Sequence, residues 1–272
     1  MSISDSDYSD EAEIRRLRNI AEQGIGLRFD NIVESGLSGN MKGIKSDHIS
    51  FSQRLDSRTF FVQDDRYGSS REAGIFRGSN AEHLEIGRTT LNRLGIPTSE
   101  ILDEKMIEEK TQAVELQDGG QSIRLAEVKK GRTLVRFSRQ VDRFPVWSSN
   151  SIFGFTQDRQ VGFMQVHWPE IPKYTVEEVH RLAHRLQRGW SVPEILGASV
   201  EAVEAGIIHS PAIAFFMDIY PVIRVIYRPN VAGKKPVLYF DRDAKNVPLP
   251  RAIDWKYEEK QQKSTARQRP RA

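Results

Sequence analysis

Two histidines, His180 and His184, stand four residues apart in the stretch His180-Arg181-Leu182-Ala183-His184. On one helical turn that spacing lets two imidazoles share a zinc ion. A hydrolytic zinc helix carries a glutamate directly after the first histidine, as general base. Here that place is held by Arg181, and Arg185 and Arg188 add further positive charge. Guanidinium groups repel a cation, so the pair reads as surface histidines and no metal site is expected. Ser148, Ser149 and Ser151 form a second cluster, with His167 in reach on the neighbouring strand. A serine nucleophile also needs an orienting acid and an oxyanion hole. Neither is indicated, and no Gly-x-Ser-x-Gly elbow occurs. Phosphate-cradling glycine loops are absent too, so no nucleotide cofactor is expected. No catalytic residue is assigned. The adjacent carboxylates Glu108-Glu109 and Glu177-Glu178 read as solvated surface.

The chain of 272 residues has no cysteine, which excludes disulfides, thiol nucleophiles and cysteine-based zinc sites. Its formal net charge of +3 is too small to imply nucleic acid by itself. No apolar run approaches the roughly 18 residues of a membrane helix. The acidic, polar start MSISDSDYSDEAE lacks the basic and apolar parts of a secretory signal, so a cytoplasmic protein with no membrane partner is expected.

The elements around these residues centre on Thr133 to Pro172. Thr133–Val141 reads as a strand, Pro145-Val146-Trp147 as a bend, and Ile152–Thr156 and Val161–Trp168 as a hairpin across Gln157–Gln160. Met164, Val166 and Trp168 alternate with Gln165 and His167, as a half-buried antiparallel strand requires. Thr175–Arg188 reads as a helix opened by a Thr175/Glu178 capping box, and Ser79/Glu82 marks another ahead of Leu84, Leu91 and Leu94. Ile49–Phe51, Thr59–Gln63, Ala212–Tyr227 and Val237–Phe240 are further strand candidates, and Thr111–Leu116 with Ser122–Val128 a hairpin. Thr98–Glu109 reads as a linker. The order strands, polar stretch, capped helix and strand recurs in the two halves. The expected fold is therefore α+β, two antiparallel sheet-plus-helix modules with disordered termini: 1–26 an acidic tail and short helix, 27–110 the first module, 111–255 the second, and 256–272 a basic tail.

The stretch Phe144-Pro145-Val146-Trp147-Ser148-Ser149, followed by a strand, a short polar turn and a strand ending in Trp168-Pro169, resembles the PepSY and FTP propeptide domains of thermolysin-type metallopeptidases. The resemblance covers about 133–241. It implies a sheet with one helix, Thr175–Arg188, packed on it, and a non-catalytic domain that binds another protein, with a separately encoded peptidase as the implied partner.

The expected role is thus a non-catalytic protein-binding module using an exposed strand edge or sheet face. Phe144, Trp147 and Trp168 are its candidate partner-binding residues, and core packing is the competing reading for all three. Two alternatives stand beside it. One is an enzyme whose active site is scattered along the sequence. The other is a nucleic-acid-associated protein using the basic tail with Lys260, Lys263, Arg267, Arg269 and Arg271.

Overall fold

The computed structural model describes residues 5–29, 32, 34–38, 41–54, 58–67, 74–111, 114–117, 122–125, 129–192, 194–209, 219–230, 233 and 237–241. The chain divides into two compact units, residues 1–172 with 209–218, and residues 173–208 with 219–272.

The first unit opens with helix α1, Asp5–Asn19, which widens into a π-helical stretch, Ile20–Ile25. Gly26 ends it at a φ of 82°, a left-handed conformation that costs glycine little. Strands β1 (Glu34–Ser38), β2 (Met41–Lys45), β3 (Ile49–Arg54) and β4 (Thr59–Asp64) follow. Then come helix α2 (Asn80–Arg93), β5 (Ile101–Thr111), β6 (Val114–Gln117), β7 (Ser122–Leu125), β8 (Lys129–Val141), β9 (Phe144–Phe155) and β10 (Val161–His167). In space the sheet runs β1-β2-β3-β4-β10-β9-β8-β5 with every neighbour antiparallel. Strands β6 and β7 make a separate hairpin.

One register row shows why this is a single sheet. Val135, Phe153, Met164, Val62, Phe51 and Ile44 are cross-strand partners in turn, from β8 to β2. All are buried, and they form one apolar cluster with Leu17, Ala21, Ile25 and Leu91 of the helices. Alternation supplies this row, because every second residue of each strand faces the same side. Helix α2 starts at the capping box read from the sequence: Ser79 Oγ accepts from the Glu82 amide at 3.3 Å, and Glu82 Oε2 accepts from the Ser79 amide at 2.8 Å. The helix comes closest to the sheet at Gly87, where an added Cβ would lie 2.6 Å from the Phe137 ring. On the opposite sheet face the Tyr67 ring fills the space that side chains at Gly154 and Gly162 would take, within 2.3 and 2.6 Å of their missing Cβ positions. Arg132 lies over that ring at 5.3 Å, and burial pushes the Tyr67 hydroxyl up to about 12.

The second unit holds helix α3 (Lys173–Gln187) and strands β11 (Ala198–His209), β12 (Ile219–Pro229) and β13 (Val237–Asp241), in the order β11-β12-β13. The last residue of β11, His209, counts with the first unit. Helix α3 packs on β12, and Val179, Leu182, Val222, Ile223, Val225 and Tyr227 are buried. Ion pairs from Arg224 to Glu204 and, at 2.6 Å, from Arg228 to Glu201 join β11 and β12.

The expected α+β pair of sheet-plus-helix modules is corrected. The first unit is dominated by one continuous sheet that crosses the expected boundary at 110/111, since β4 pairs with β10 and β5 pairs with β8. Two copies of a module would each need their own sheet. The expected linker Thr98–Glu109 is mostly β5; its charges on both strand faces hid the alternation. Residues 5–13, expected as solvating tail, lie in α1, whose Leu17 anchors it in the core. Pro145-Val146-Trp147 lies within β9 rather than bending between strands, and a bulge after Val146 takes up the irregularity. Helix α3 starts at Lys173, so Thr175 sits inside it, buried and without a hydrogen-bond partner for its hydroxyl, instead of capping it. The hairpin of β9 and β10 is as read, with Phe155 opposite Val161. The basic tail, 256–272, lies outside the described residues.

Because Phe137 is fully buried, its ring has no room to retreat from a methyl group on α2. Gly87→Ala gains about 1 kcal/mol of helix propensity. Overpacking costs about 1–3 kcal/mol and outweighs it. We expect a lower urea midpoint with an unchanged slope. A raised midpoint would show that α2 does not press on Phe137.

Candidate functional site

Strand β5 is the outermost strand of the first unit's sheet. It pairs with β8 along one side, and among the described residues no strand pairs with its other side. An edge strand of 11 residues presents a row of backbone donors and acceptors to an added strand. Its pairing with β8 is regular from Asp103 to Glu108 and shifts register on both flanks, between Ile101 and Asp103 and between Glu108 and Lys110. Such bulges bend an edge and limit how much of it another strand can follow.

A cleft of about 450 Å³ opens beside the start of β5, lined by Arg88, Thr98, Ile101, Leu102, Asp103 and Glu104. Leu102 is 46% exposed, one of few large apolar side chains so placed among the described residues. Arg88 of α2 reaches across to Glu104, its Nε donating to Oε1 at 2.7 Å, and also contacts Glu85 at 3.5 Å. Lys105 Nζ lies 2.7 Å from Asp103 and is the main cause holding that carboxyl below its ordinary range. An exposed apolar side chain, ordered charges and, among the described residues, a strand edge with no strand beside it come together here. No arrangement of acid, base and nucleophile lines it.

The beginning of β5 is held by a buried knot. Arg139, on β8, is 4% exposed. Its Nε donates to Glu100 Oε2 at 2.8 Å and its Nη1 to the Pro169 carbonyl at 2.5 Å. Its guanidinium lies over the Trp168 ring at 5.2 Å, and Trp168 Nε1 donates to the same Glu100 oxygen at 2.8 Å. Burial draws the Arg139 pKa down, against the pull of Glu100.

This knot decides one of the three candidate partner-binding residues. Trp168 is 2% exposed with its indole nitrogen bonded, so the surface role expected for it is corrected to core packing. Phe144 and Trp147 are half-buried on β9, at its start and at its bulge. They do not line the cleft beside β5. His180 and His184 are exposed on α3, and among the described residues no group of three or more potential ligands is poised to hold a metal.

The serine cluster does meet a histidine, though not the expected one. Ser149 Oγ lies 2.9 Å from His209 Nε2. His167 instead pairs through Nδ1 with Thr59 Oγ1 at 2.8 Å and meets the His209 ring edge-on at 5.3 Å. Ser149 and His209 are 1% and 4% exposed, so a substrate has no approach to the hydroxyl. Burial first, then the charges of His167 and Arg139, push the His209 imidazole down to about 3. At neutral pH this is a neutral packing histidine. Sequence reading missed it because His209 is 60 residues from Ser149, at the end of an apolar strand.

Comparison with known proteins adds no name to this site. No known family matches the chain, and no curated protein does. A crystal structure of an uncharacterized protein from Eubacterium rectale is similar at a TM-score of 0.44 and 11% identity, covering 88% of this chain and 82% of that one. Among the described residues no helix is long and apolar enough to cross a membrane.

The buried histidine sets an acid response. A folded pKa of about 3 against about 6.5 unfolded means the unfolded chain binds the proton first as pH falls. Stability is therefore lost from about pH 6.5 downward, on the order of 2 kcal/mol by pH 5. His209→Gln removes this part, so its urea midpoint should fall less than that of the unaltered protein between pH 7 and pH 5. Equal falls would contradict the assignment.

Proposed function

We propose that the protein is a non-catalytic binding module that takes up an extended segment of a partner protein along the outer edge of β5. The observation that carries this reading is the 11-residue terminal strand, open on one side among the described residues, with exposed Leu102 and the 450 Å³ cleft at its start. Strand addition uses these parts. Main-chain hydrogen bonds along the edge supply affinity, and side-chain contacts beside it supply specificity. The resemblance to propeptide domains makes a separately encoded peptidase the first partner to try. A catalytic reading has less support, because the serine–histidine contact found among the described residues is sealed in the interior.

Leu102→Asp should leave folding within about 0.5 kcal/mol, since the side chain is exposed. With a partner captured by the intact protein and then purified, the same change should weaken binding at least about tenfold, or about 1.4 kcal/mol. Hydrogen exchange of the complex should slow along Ile101–Thr111. Full-strength binding by the variant, or protection only elsewhere, would refute the edge as the docking site.

A further inference from the structure

The start of β11, in the second unit, leaves apolar side chains open to water. Leu196 is 77% exposed and Val200 44%, two of the five large apolar side chains so exposed among the described residues. Both line one cleft of about 620 Å³, together with buried Ile195 and Tyr227 and the exposed residues Ser199 and Glu194. Glu194 has no ion-pair partner among the described residues. Clustered apolar groups favour a cover, and here a carboxylate stands two residues before the most exposed of them. A fitting cover is therefore apolar, with one cation two residues from its anchor.

We infer that the cleft is covered by the chain's own segment Val247-Pro248-Leu249-Pro250-Arg251, with Leu249 seated against Leu196 and Val200 and Arg251 facing Glu194. These five residues lie outside the described ones. Reach favours this occupant over a free partner. Asp241, the last residue of β13, pairs with Ile223 of β12, and Val237 pairs with Tyr227. The cleft at Tyr227 is thus four residues back along the strands, about 13 Å, and one or two strand spacings of about 4.8 Å across, about 15 Å in all. Eight residues lead from Asp241 to Leu249. A flexible tether of that length spans about 16 Å on average and at most about 28 Å. A tether whose average span matches the gap gives the highest effective concentration, so a weak contact suffices. The residue types agree as well. Leu249 and Arg251 are two apart, as are Leu196 and Glu194. Pro248 and Pro250 have no N–H to give a ladder, which suits the segment to a cleft rather than to a sheet edge. Their fixed φ also leaves less conformational freedom to lose on docking.

The test uses the full chain, which has no cysteine of its own. A short bismaleimide is offered to the double variant Ser199→Cys with Ala252→Cys, which keeps Leu249, Arg251 and Glu194 in place. The control is Tyr174→Cys with Ala252→Cys, since Tyr174 is 63% exposed in the same unit. Ser199 and Tyr174 are exposed, so both proteins fold. We expect intrachain crosslinking at position 199 at least about tenfold faster than at 174, as burial of one leucine allows. Leu249→Asp should bring it to the control rate. Glu194→Arg should slow it about threefold, the effect of an exposed ion pair, and Arg251→Glu added to that variant should restore it. Equal rates at 199 and 174, or a rate that Leu249→Asp leaves unchanged, would overturn the inference. Crosslinks only between two chains, seen as a doubled mass, would overturn it in favour of a second copy as the cover.

Discussion

The buried contact between Arg139 and Glu100 holds the first unit's sheet to its outer strand. A guanidinium taken out of water needs a partner, and removing one member of such a pair costs about 3–5 kcal/mol. Here one carboxylate oxygen accepts from both Arg139 and Trp168, and the arginine also caps the Pro169 carbonyl. Three places far apart in the chain meet in that knot: the turn ahead of β5, the end of β8 and the residues after β10. The position of β5, and so of the open edge and its cleft, depends on it. The same demand for satisfied polar groups keeps Trp168 inside.

The rest of the first unit follows from one apolar row on one sheet face. Val135 to Ile44 is a line of cross-strand partners, and α1 and α2 cover it. Close approach at Gly87 and the Tyr67 ring over Gly154 and Gly162 show the two faces filled by opposite means. On one face a helix needs a missing side chain, and on the other an aromatic ring replaces two. Alternation therefore sets the core, and the outer strand carries charges on both faces. A long edge with apolar residues on both faces would pair indiscriminately. β5 has charges on both faces and a register shift on each flank, which leave a regular segment from Asp103 to Glu108.

Local signals were legible in the sequence. The Ser79/Glu82 box is contained in four residues and forms as read. The alternation of Met164 and Val166 with Gln165 is likewise local, and it placed β10 correctly. Long-range pairing was not legible. β5 looked like a linker because its charges suit an edge and its apolar residues are few. Trp168 looked like a surface aromatic because nothing nearby in sequence shows that Glu100 accepts its indole proton. His209 ended an apolar run, with no sign that it would meet Ser149. The two halves suggested a repeat because both contain strands and a capped helix, but sheet order depends on which strands pair, and β4 finds β10.

The most direct measurement is photo-crosslinking in the producing cells, with a photoreactive amino acid placed at Leu102 and, separately, at Tyr174. Both positions are exposed, at 46% and 63%, and Tyr174 lies in the second unit, away from β5 in the chain. The account predicts a discrete adduct with one other protein from position 102 and none of that adduct from position 174. The same adduct from both positions, or from position 174 alone, would contradict a docking edge on β5.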